Sequence, residues 1–167
     1  GNGASVTAVK AGRSIDTSMG LTPTGGVVMS TRAGDLDPGI LLYLLREKQL
    51  RGDELETLLD QQSGLLGISE VSGDLRQLHA SSESGARLAI DIFCYSVRKT
   101  IAATAAALGG VDMLVFTGGI GENDAAVRAS ICDGLAWLGD FPVRIVPSRE
   151  DEQIAWHTRP ILQKTRA

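Results

Sequence analysis

The sequence predicts an α/β domain in which a mixed sheet is covered by helices on both faces. Three observations indicate this class: a strand-like hairpin opens the chain, helical patterns then alternate with short apolar strands, and a glycine-rich turn joins one such strand to a helix. Strands that alternate with helices are typical of α/β architectures. The 167 residues are one domain's worth of chain, so residues 1–167 are interpreted as a single domain.

The first forty residues indicate a hairpin followed by a loop. Residues 4–10 alternate small or apolar side chains with polar ones, Ala11-Gly12-Arg13 forms a turn, and residues 13–19 return as the second strand. Residues 20–31 are rich in Gly, Thr and Pro, which predicts a loop with a short strand at 27–29.

Helical patterns occupy most of the chain from residue 37 to residue 108. Asp37-Pro38 pairs an N-cap acid with proline at the first helical position, which predicts a helix to residue 49. A capping-box pattern at 53–56 opens a second helix to about residue 62, and residues 63–69 are expected to form a loop. Residues 72–80 predict a short helix, and residues 82–108 predict a long one that Gly109-Gly110 ends.

The remaining third of the chain alternates strand and helix. Residues 113–116 form an apolar strand that leads through the glycine turn into a helix at about 123–137. Residues 143–146 predict another strand, and residues 150–164 a last helix that Pro160 should kink or interrupt. The two tryptophans, Trp137 and Trp156, are expected to pack in the core.

Composition narrows the classes of partner. The net charge of −4 and the pI near 5.1 argue against general binding to nucleic acid or to an anionic membrane. Cys94 and Cys132 lie far apart in helical patterns without metal-ligand spacing. They are interpreted as buried free thiols of a reducing, cytoplasmic compartment.

The glycine turn is the most informative local motif. It reads Phe116-Thr117-Gly118-Gly119-Ile120-Gly121-Glu122-Asn123. Glycines at a helix start let backbone N–H groups approach a ligand closely, and the helix dipole favours an anion there, so a nucleotide is the obvious candidate. The motif lacks the Lys-Ser/Thr of a P-loop and does not complete the dinucleotide fingerprint. The alternative is a tight strand-to-helix connection that binds nothing.

Four segments together resemble the acetate kinase (acetokinase) family. In chain order they are Gly1-Asn2-Gly3-Ala4-Ser5, Asp16-Thr17-Ser18-Met19-Gly20-Leu21-Thr22-Pro23, Thr31-Arg32-Ala33-Gly34-Asp35-Leu36-Asp37-Pro38-Gly39 and the glycine turn. The resemblance implies a ribonuclease H-like, actin-like ATPase domain of the sugar kinase, Hsp70 and actin superfamily. The chain is similar to the second, nucleotide-binding half of a two-domain kinase whose first half is missing.

The resemblance also implies the reaction. Members transfer the γ-phosphoryl group of ATP to acetate, giving acetyl phosphate and ADP, in a reversible reaction that depends on Mg²⁺ or Mn²⁺. The family is commonly dimeric through this half, so a homodimer is expected. Propionate or butyrate kinase, a non-catalytic nucleotide-binding module and a plain structural domain remain alternatives. The chain alone could lack activity, because acceptor-side groups are absent.

Arg32 is the leading catalytic candidate. It lies in a loop rich in Gly and Asp before a capped helix, where a guanidinium can bind phosphate in bidentate geometry. The resemblance implies that it stabilises the transferring phosphoryl group. The alternative is a surface arginine paired with Asp35 or Asp37.

The resemblance implies nucleotide contacts in three segments. The first is a phosphate-cradling loop, the second precedes and enters a short helix, and the third is the adenosine side of the glycine turn. Their residues are Gly1, Asn2 and Gly3; Asp74, Leu75 and Arg76; and Gly119, Ile120, Gly121, Glu122 and Asn123. The alternatives are a frayed terminus for the first segment and an ordinary helix start for the second.

Glu150 matches a family glutamate that helps to hold Mg²⁺, a metal that favours carboxylate and water oxygens. Arg149 departs from the family's asparagine and places a cation beside the proposed ligand, so Asp151 remains an alternative. His79 and His157 match no functional position of the family and are interpreted as exposed or structural.

Overall fold

The computed structural model describes residues 2–164, with the burial of side chains described for residues 2–159. In chain order the elements are β1 (Thr7–Lys10), β2 (Arg13–Thr17), α1 (Pro38–Arg46), α2 (Gly52–Gln61), α3 (Gly64–Ser69), α4 (Leu75–Ala80), α5 (Ser84–Leu108), β3 (Leu114–Phe116), α6 (Gly118–Asn123), α7 (Ala125–Asp133), a 3₁₀ turn (Ala136–Leu138), β4 (Val143–Ile145) and α8 (Glu150–Lys164). None of the helices in this described part has the length and apolar content needed to cross a bilayer.

The predicted hairpin is confirmed. β1 and β2 pair antiparallel through a two-residue turn, and both turn residues have positive φ, 51° at Ala11 and 74° at Gly12. Such a turn matches the right-handed twist of the strands it joins. The register shifts between Ala8 and Val9, which leaves Ile15 as an extra residue in β2. A bulge of this kind bends the hairpin.

α5 is the central element of the core. Its buried face carries mostly small side chains around Phe93, and α3, α4, α7 and the hairpin pack against it. Small side chains let neighbouring elements approach closely, which the alanine-rich sequence predicts. Gly109 ends the helix with φ 80°, and its N–H bonds to the carbonyl of Ala105, so the predicted glycine stop is confirmed.

Helix starts near residues 37 and 52 follow local side-chain chemistry. Asp37 caps α1 by accepting a hydrogen bond of 2.9 Å from the N–H of Gly39, as predicted. α2 begins earlier than expected, at Gly52. Glu54 reaches back to the N–H of Arg51 at 2.7 Å, so the box starts two residues before the predicted position.

The predicted single mixed sheet is present as two separate pairs within residues 2–164. One is the antiparallel hairpin, and the other is β3 beside β4 in parallel register, with Leu114 opposite Val143. The N–H of Val146 bonds to the carbonyl of Phe116 at 2.9 Å and extends the parallel pair by one step. Because the two strands are parallel, the glycine turn and the segment before α8 leave from the same edge.

Two local predictions upstream of α4 are wrong because of the same loop, which contains Met29 and Arg32. Residues 27–29 form no strand, because the N–H of Met29 bonds to Arg32 O at 3.1 Å within a tight loop. Residues 64–69 form α3 instead of a loop. Loop carbonyls accept its first N–H groups, with Leu65 N bonding to Met29 O at 2.9 Å. A buried loop thus supplies hydrogen bonds that no local pattern reveals.

Three predictions nearer the C-terminus also change. The glycine turn is itself helical, and a break at Asp124 separates α6 from α7. α8 is not interrupted at Pro160, and it is exposed along residues 150–159. Trp137 and Trp156 are 70% and 67% exposed instead of buried, because few elements cover this end of the chain. Cys94 is buried and Cys132 half-buried, and both thiols are free.

Candidate functional site

A cleft of about 700 Å³ lies between the N-terminal loop, α4 and the glycine turn. These three segments are the ones for which the sequence predicts nucleotide contacts. The cleft is lined by Asn2, Ala4, Met29, Ser30, Leu65, Gly73, Asp74, Leu75, Arg76, His79, Phe93, Gly119, Ile120, Asn123 and Asp124. Segments that lie far apart in sequence therefore converge on one apolar floor with polar rims, an arrangement typical of small-molecule sites.

The glycines of the turn differ in what they contact. Gly118 has φ 76°, a conformation that favours glycine. A Cβ added at Gly119 would have no heavy atom within 4 Å, so this residue leaves open space in the cleft wall. Gly121 is buried, and a Cβ there would lie 3.3 Å from the carbonyl carbon of Phe116. Gly121 therefore permits close packing of α6 on β3.

The side chain of Glu122 folds back, so that its carboxylate lies at the start of its own helix, α6. Its Oε1 accepts a hydrogen bond of 2.8 Å from Gly118 N and another of 2.8 Å from Ser148 N. The anion that the sequence leads one to expect at this helix start is thus the chain's own carboxylate. A second anion, such as a phosphate, would be repelled there. The turn consequently suits the uncharged adenosine side of a nucleotide better than its phosphates.

α4 begins with an ion pair on the cleft rim. Asp74 caps the helix by accepting from Arg76 N at 2.9 Å, and the Arg76 guanidinium donates to the same carboxylate. The hydrogen bond from the Arg76 side chain lowers the pKa of Asp74 below its ordinary value. Leu75 is 5% exposed and packs mainly in the core. Asp74 and Arg76 are the members of this segment with polar groups to offer a ligand.

His79 is exposed, as interpreted, but it also lines the cleft beside Asp124, and the sequence interpretation assigned neither residue to the site. His79 Nε2 lies 2.9 Å from Asp124 Oδ2, and the other carboxylate oxygen caps α7 by accepting from Val127 N at 2.9 Å. One signal was available, since His79 lies three residues after Arg76 and so shares a face of α4 with it. Asp124 directly follows the glycine turn.

Arg32 lies next to one end of the cleft. Its Nη1 lies 3.8 Å from the Sδ of Met29, a cleft residue, and 3.4 Å from Pro23 O. A Cβ added at Gly3 would approach the same Nη1 to 3.2 Å, so the N-terminal loop and this guanidinium are neighbours. Asp35 and Asp37 do not pair with it, because they accept from the backbone N–H groups of Gly26 and Gly39.

No carboxylate within residues 2–164 forms a salt bridge with Arg32. The alternative of a surface arginine paired with Asp35 or Asp37 is therefore not what the structure shows. A half-buried guanidinium without a carboxylate partner keeps its donors available for an anionic ligand.

Gly64 packs closely against the backbone of the loop that carries Arg32. It has φ +60°, and a Cβ there would clash with Met29 O and lie 2.8 Å from Arg32 O. Gly64→Ala is expected to cost about 1–3 kcal/mol of backbone strain and to add a steric clash beneath Arg32. Urea unfolding would measure the loss. Gly12→Ala is the matched control, since Gly12 has φ +74° but open space, and equal losses in both variants would contradict the packing role.

The remaining predicted residues lie at the edges of this arrangement. Gly1 lies outside the described residues. Asn2 lines the cleft, and its carbonyl accepts from Ser30 N at 3.2 Å. Gly3 lies beside Arg32, as given above. The loop that the resemblance predicts to cradle phosphates is thus next to the predicted catalytic arginine.

Glu150 lies outside the cleft, on the first turn of α8. The carboxylates of Glu150, Asp151 and Glu152 surround a separate surface depression. No group of three His, Cys, Asp or Glu side chains within the described residues could hold a metal ion alone. The donors are carboxylate oxygens, which fit Mg²⁺ as one or two ligands that nucleotide phosphates and water complete. Neither Glu150 nor Asp151 is favoured over the other by this geometry.

Comparison with known proteins identifies the family. A family model described as the Acetokinase family matches residues 1–152. The chain belongs to the acetokinase family. An acetate kinase from Treponema denticola is 53% identical over 142 residues, which are 83% of this chain and 36% of that protein. The chain therefore spans about a third of the length of such relatives of the acetokinase family.

Solved structures of the acetokinase family share this fold. The crystal structure of Porphyromonas gingivalis acetate kinase matches with a TM-score of 0.90 at 37% identity, covering 96% of this chain and 47% of that one. A propionate kinase from Francisella tularensis matches with a TM-score of 0.84 at 40% identity, covering 89% and 44%. The predicted actin-like ATPase fold class is confirmed by these matches.

Proposed function

We propose that this chain is the nucleotide-binding part of a longer two-domain acetate kinase, hereafter the full-length kinase. The full-length kinase transfers the γ-phosphoryl group of ATP to acetate, giving acetyl phosphate and ADP, and runs in both directions. The observation that carries the proposal is the cleft, because it joins the glycine turn, the Asp74–Arg76 segment and the N-terminal loop beside Arg32. The family match supports the same reaction class.

The orientation of the nucleotide in the cleft follows from the charges at its two ends. Adenosine lies against Gly119 and Ile120, where the wall is open and the helix start already holds a carboxylate. Asp74, Arg76 and Asn123 supply polar contacts on the rim. The phosphates extend toward Asn2, Gly3 and Arg32, where the cationic guanidinium lies. The nucleotide is thus oriented by one neutral end and one positive end.

Arg32 supplies the electrostatic part of the reaction. The transferring phosphoryl group spreads negative charge over its equatorial oxygens, and donors placed there in advance lower the barrier. The guanidinium has no competing carboxylate within residues 2–164, so it can meet that charge directly. Mg²⁺ or Mn²⁺ would neutralise phosphate charge when bound. Glu150, with Asp151 as the alternative, is proposed as one ligand on the family resemblance alone, because both lie outside the cleft.

Two other functions remain in competition. The similarity to a propionate kinase structure keeps propionate, and by extension butyrate, as alternative substrates. Acceptor length is set by groups that we assign to the other part of the full-length kinase. A non-catalytic nucleotide-binding module is the second alternative, but such a module has no need of an arginine that, within the described residues, has no carboxylate partner beside the phosphate end.

The proposal extends to the setting of the protein. The full-length kinase is proposed to be a cytoplasmic homodimer whose ligands are ATP or ADP and a short carboxylate. The free cysteines Cys94 and Cys132 support a reducing compartment, because cysteines in such a compartment are usually not paired in disulfides.

The reaction can be tested by trapping its product. The full-length kinase is incubated with ATP, Mg²⁺ and acetate, propionate or butyrate in turn, and hydroxylamine converts any acyl phosphate to a hydroxamate that is quantified. Hydroxamate formed fastest from acetate is the expected result. Faster trapping with propionate or butyrate would reassign the substrate, and no ATP-dependent product from any short acid would end the kinase proposal.

A further inference from the structure

We propose that Glu122 is a positioning residue that couples the glycine turn to the segment before α8, and that it does not contact the nucleotide. The inference rests on the nucleotide cleft of the proposed function, and it assigns Glu122 a different role from its neighbours in the motif. Gly119, Ile120 and Asn123 line the cleft, whereas Glu122 does not.

The carboxylate joins two loops that leave the same edge of a parallel strand pair. Gly118 follows β3 and Ser148 follows β4, and both donate their N–H groups to Oε1 of Glu122 at 2.8 Å. A charged acceptor strengthens both hydrogen bonds relative to a neutral one. One side chain therefore fixes the distance between the glycine turn and the segment that enters α8.

Two further side chains hold α6, one from α7 and one from α6 itself. Arg128 Nη1 donates to the carbonyls of Gly121 and Glu122 at 3.0 Å each, and Asn123 Nδ2 donates to Gly119 O at 2.8 Å. Six residues are too few to form a stable helix without such support. Arg128 ties α6 to the adjacent α7, whereas Glu122 ties it to Ser148, 26 residues further along the chain. The placement of Gly119 and Ile120 in the cleft wall is hence linked to Ser148.

This coupling predicts a specific pattern of nucleotide affinity. The 167-residue chain is titrated calorimetrically with ADP and with adenosine. Glu122→Ala should weaken both ligands about tenfold, because two N–H groups lose their acceptor and the turn shifts. The loss of affinity should be equal for the two ligands, since Glu122 affects only the placement of Gly119 and Ile120, which are proposed to contact the adenosine that both ligands contain. Glu122→Gln keeps an acceptor oxygen of the same reach and should recover most of the affinity.

A double-mutant cycle tests the partner. Ser148→Pro removes the N–H that Glu122 binds, without changing α6, and should weaken ADP several-fold. The combined variant with Glu122→Ala should be no weaker than Glu122→Ala alone. Glu56→Ala is the matched control, because Glu56 is an exposed helical glutamate for which no side-chain hydrogen bond is found among the side chains of residues 2–159.

Amide hydrogen exchange measured by NMR gives a readout that does not need nucleotide. Glu122→Ala should speed exchange of the Ser148 and Gly118 amides while leaving amides of the buried face of α5 protected. ADP affinity equal to wild type in Glu122→Ala, additive losses in the cycle, or unchanged exchange at Ser148 would each overturn the coupling. A wild-type chain that fails to bind ADP, but shows the faster Ser148 exchange in the variant, would instead count against the proposed nucleotide site.

Discussion

Arg32→Ala is expected to lower turnover of the full-length kinase about a thousandfold, comparable to the loss of an arginine that stabilises phosphoryl transfer. The guanidinium meets charge that is greatest in the transition state, so the affinity for ATP should change by no more than about threefold. Steady-state kinetics with acetate, together with an ATP titration, would separate the two quantities.

Two further variants define the contribution of charge and geometry. Arg32→Lys keeps the positive charge but loses the planar pair of donors, and should recover only part of the lost rate. Arg87→Ala is the control, because Arg87 is exposed on α5 and lies away from the cleft. Near-normal turnover in Arg32→Ala, with the control also active, would exclude a catalytic role for Arg32.

Gly119→Val is expected to weaken nucleotide binding while leaving the fold intact. A Cβ at Gly119 meets no heavy atom within 4 Å, so the added methyl groups extend into the cleft and not into the core. A steric clash of this size costs about 1–3 kcal/mol, which corresponds to roughly fivefold to 150-fold in Kd for ADP. Calorimetric titration of the chain with ADP would measure it.

Gly52→Val is the matched control for this substitution. Gly52 also lies at the start of a helix and has open space around its Cβ, but it does not line the cleft. Both variants should unfold at similar urea concentrations, and only Gly119→Val should lose affinity.

Gly121→Val should behave differently from both, since the buried Gly121 packs against Phe116 and the variant should lose stability. Equal ADP affinity in Gly119→Val and wild type would show that adenosine does not bind against Gly119.

Local signals in the sequence predicted the elements that local chemistry determines. The hairpin follows from its alternating strands and the Ala11-Gly12 turn, α1 from Asp37-Pro38, and the end of α5 from Gly109. Each of these features is set by backbone dihedrals or by side chains within four residues. The fold class and family came from motif order, which the comparisons then confirmed.

Tertiary contacts explain the elements that the sequence did not predict. α3 exists because loop carbonyls accept its first N–H groups, and residues 27–29 bond within their own loop instead of pairing as a strand. The cleft members His79 and Asp124 come together because α4 and α7 both pack against α5. Glu122 was assigned to the nucleotide site with its neighbours, because periodicity cannot show that its carboxylate reaches Ser148.

Calorimetric titration of this chain with ADP and ATP, with and without Mg²⁺, would show whether it forms a nucleotide site. Saturable binding of one nucleotide per chain, displaced by adenosine and weakened by Gly119→Val, is the predicted result. The same titration on the full-length kinase shows whether further segments are needed to complete the site. Absence of binding to the chain alone would mean that the site is not formed by these residues, and absence of binding to the full-length kinase as well would exclude the kinase function.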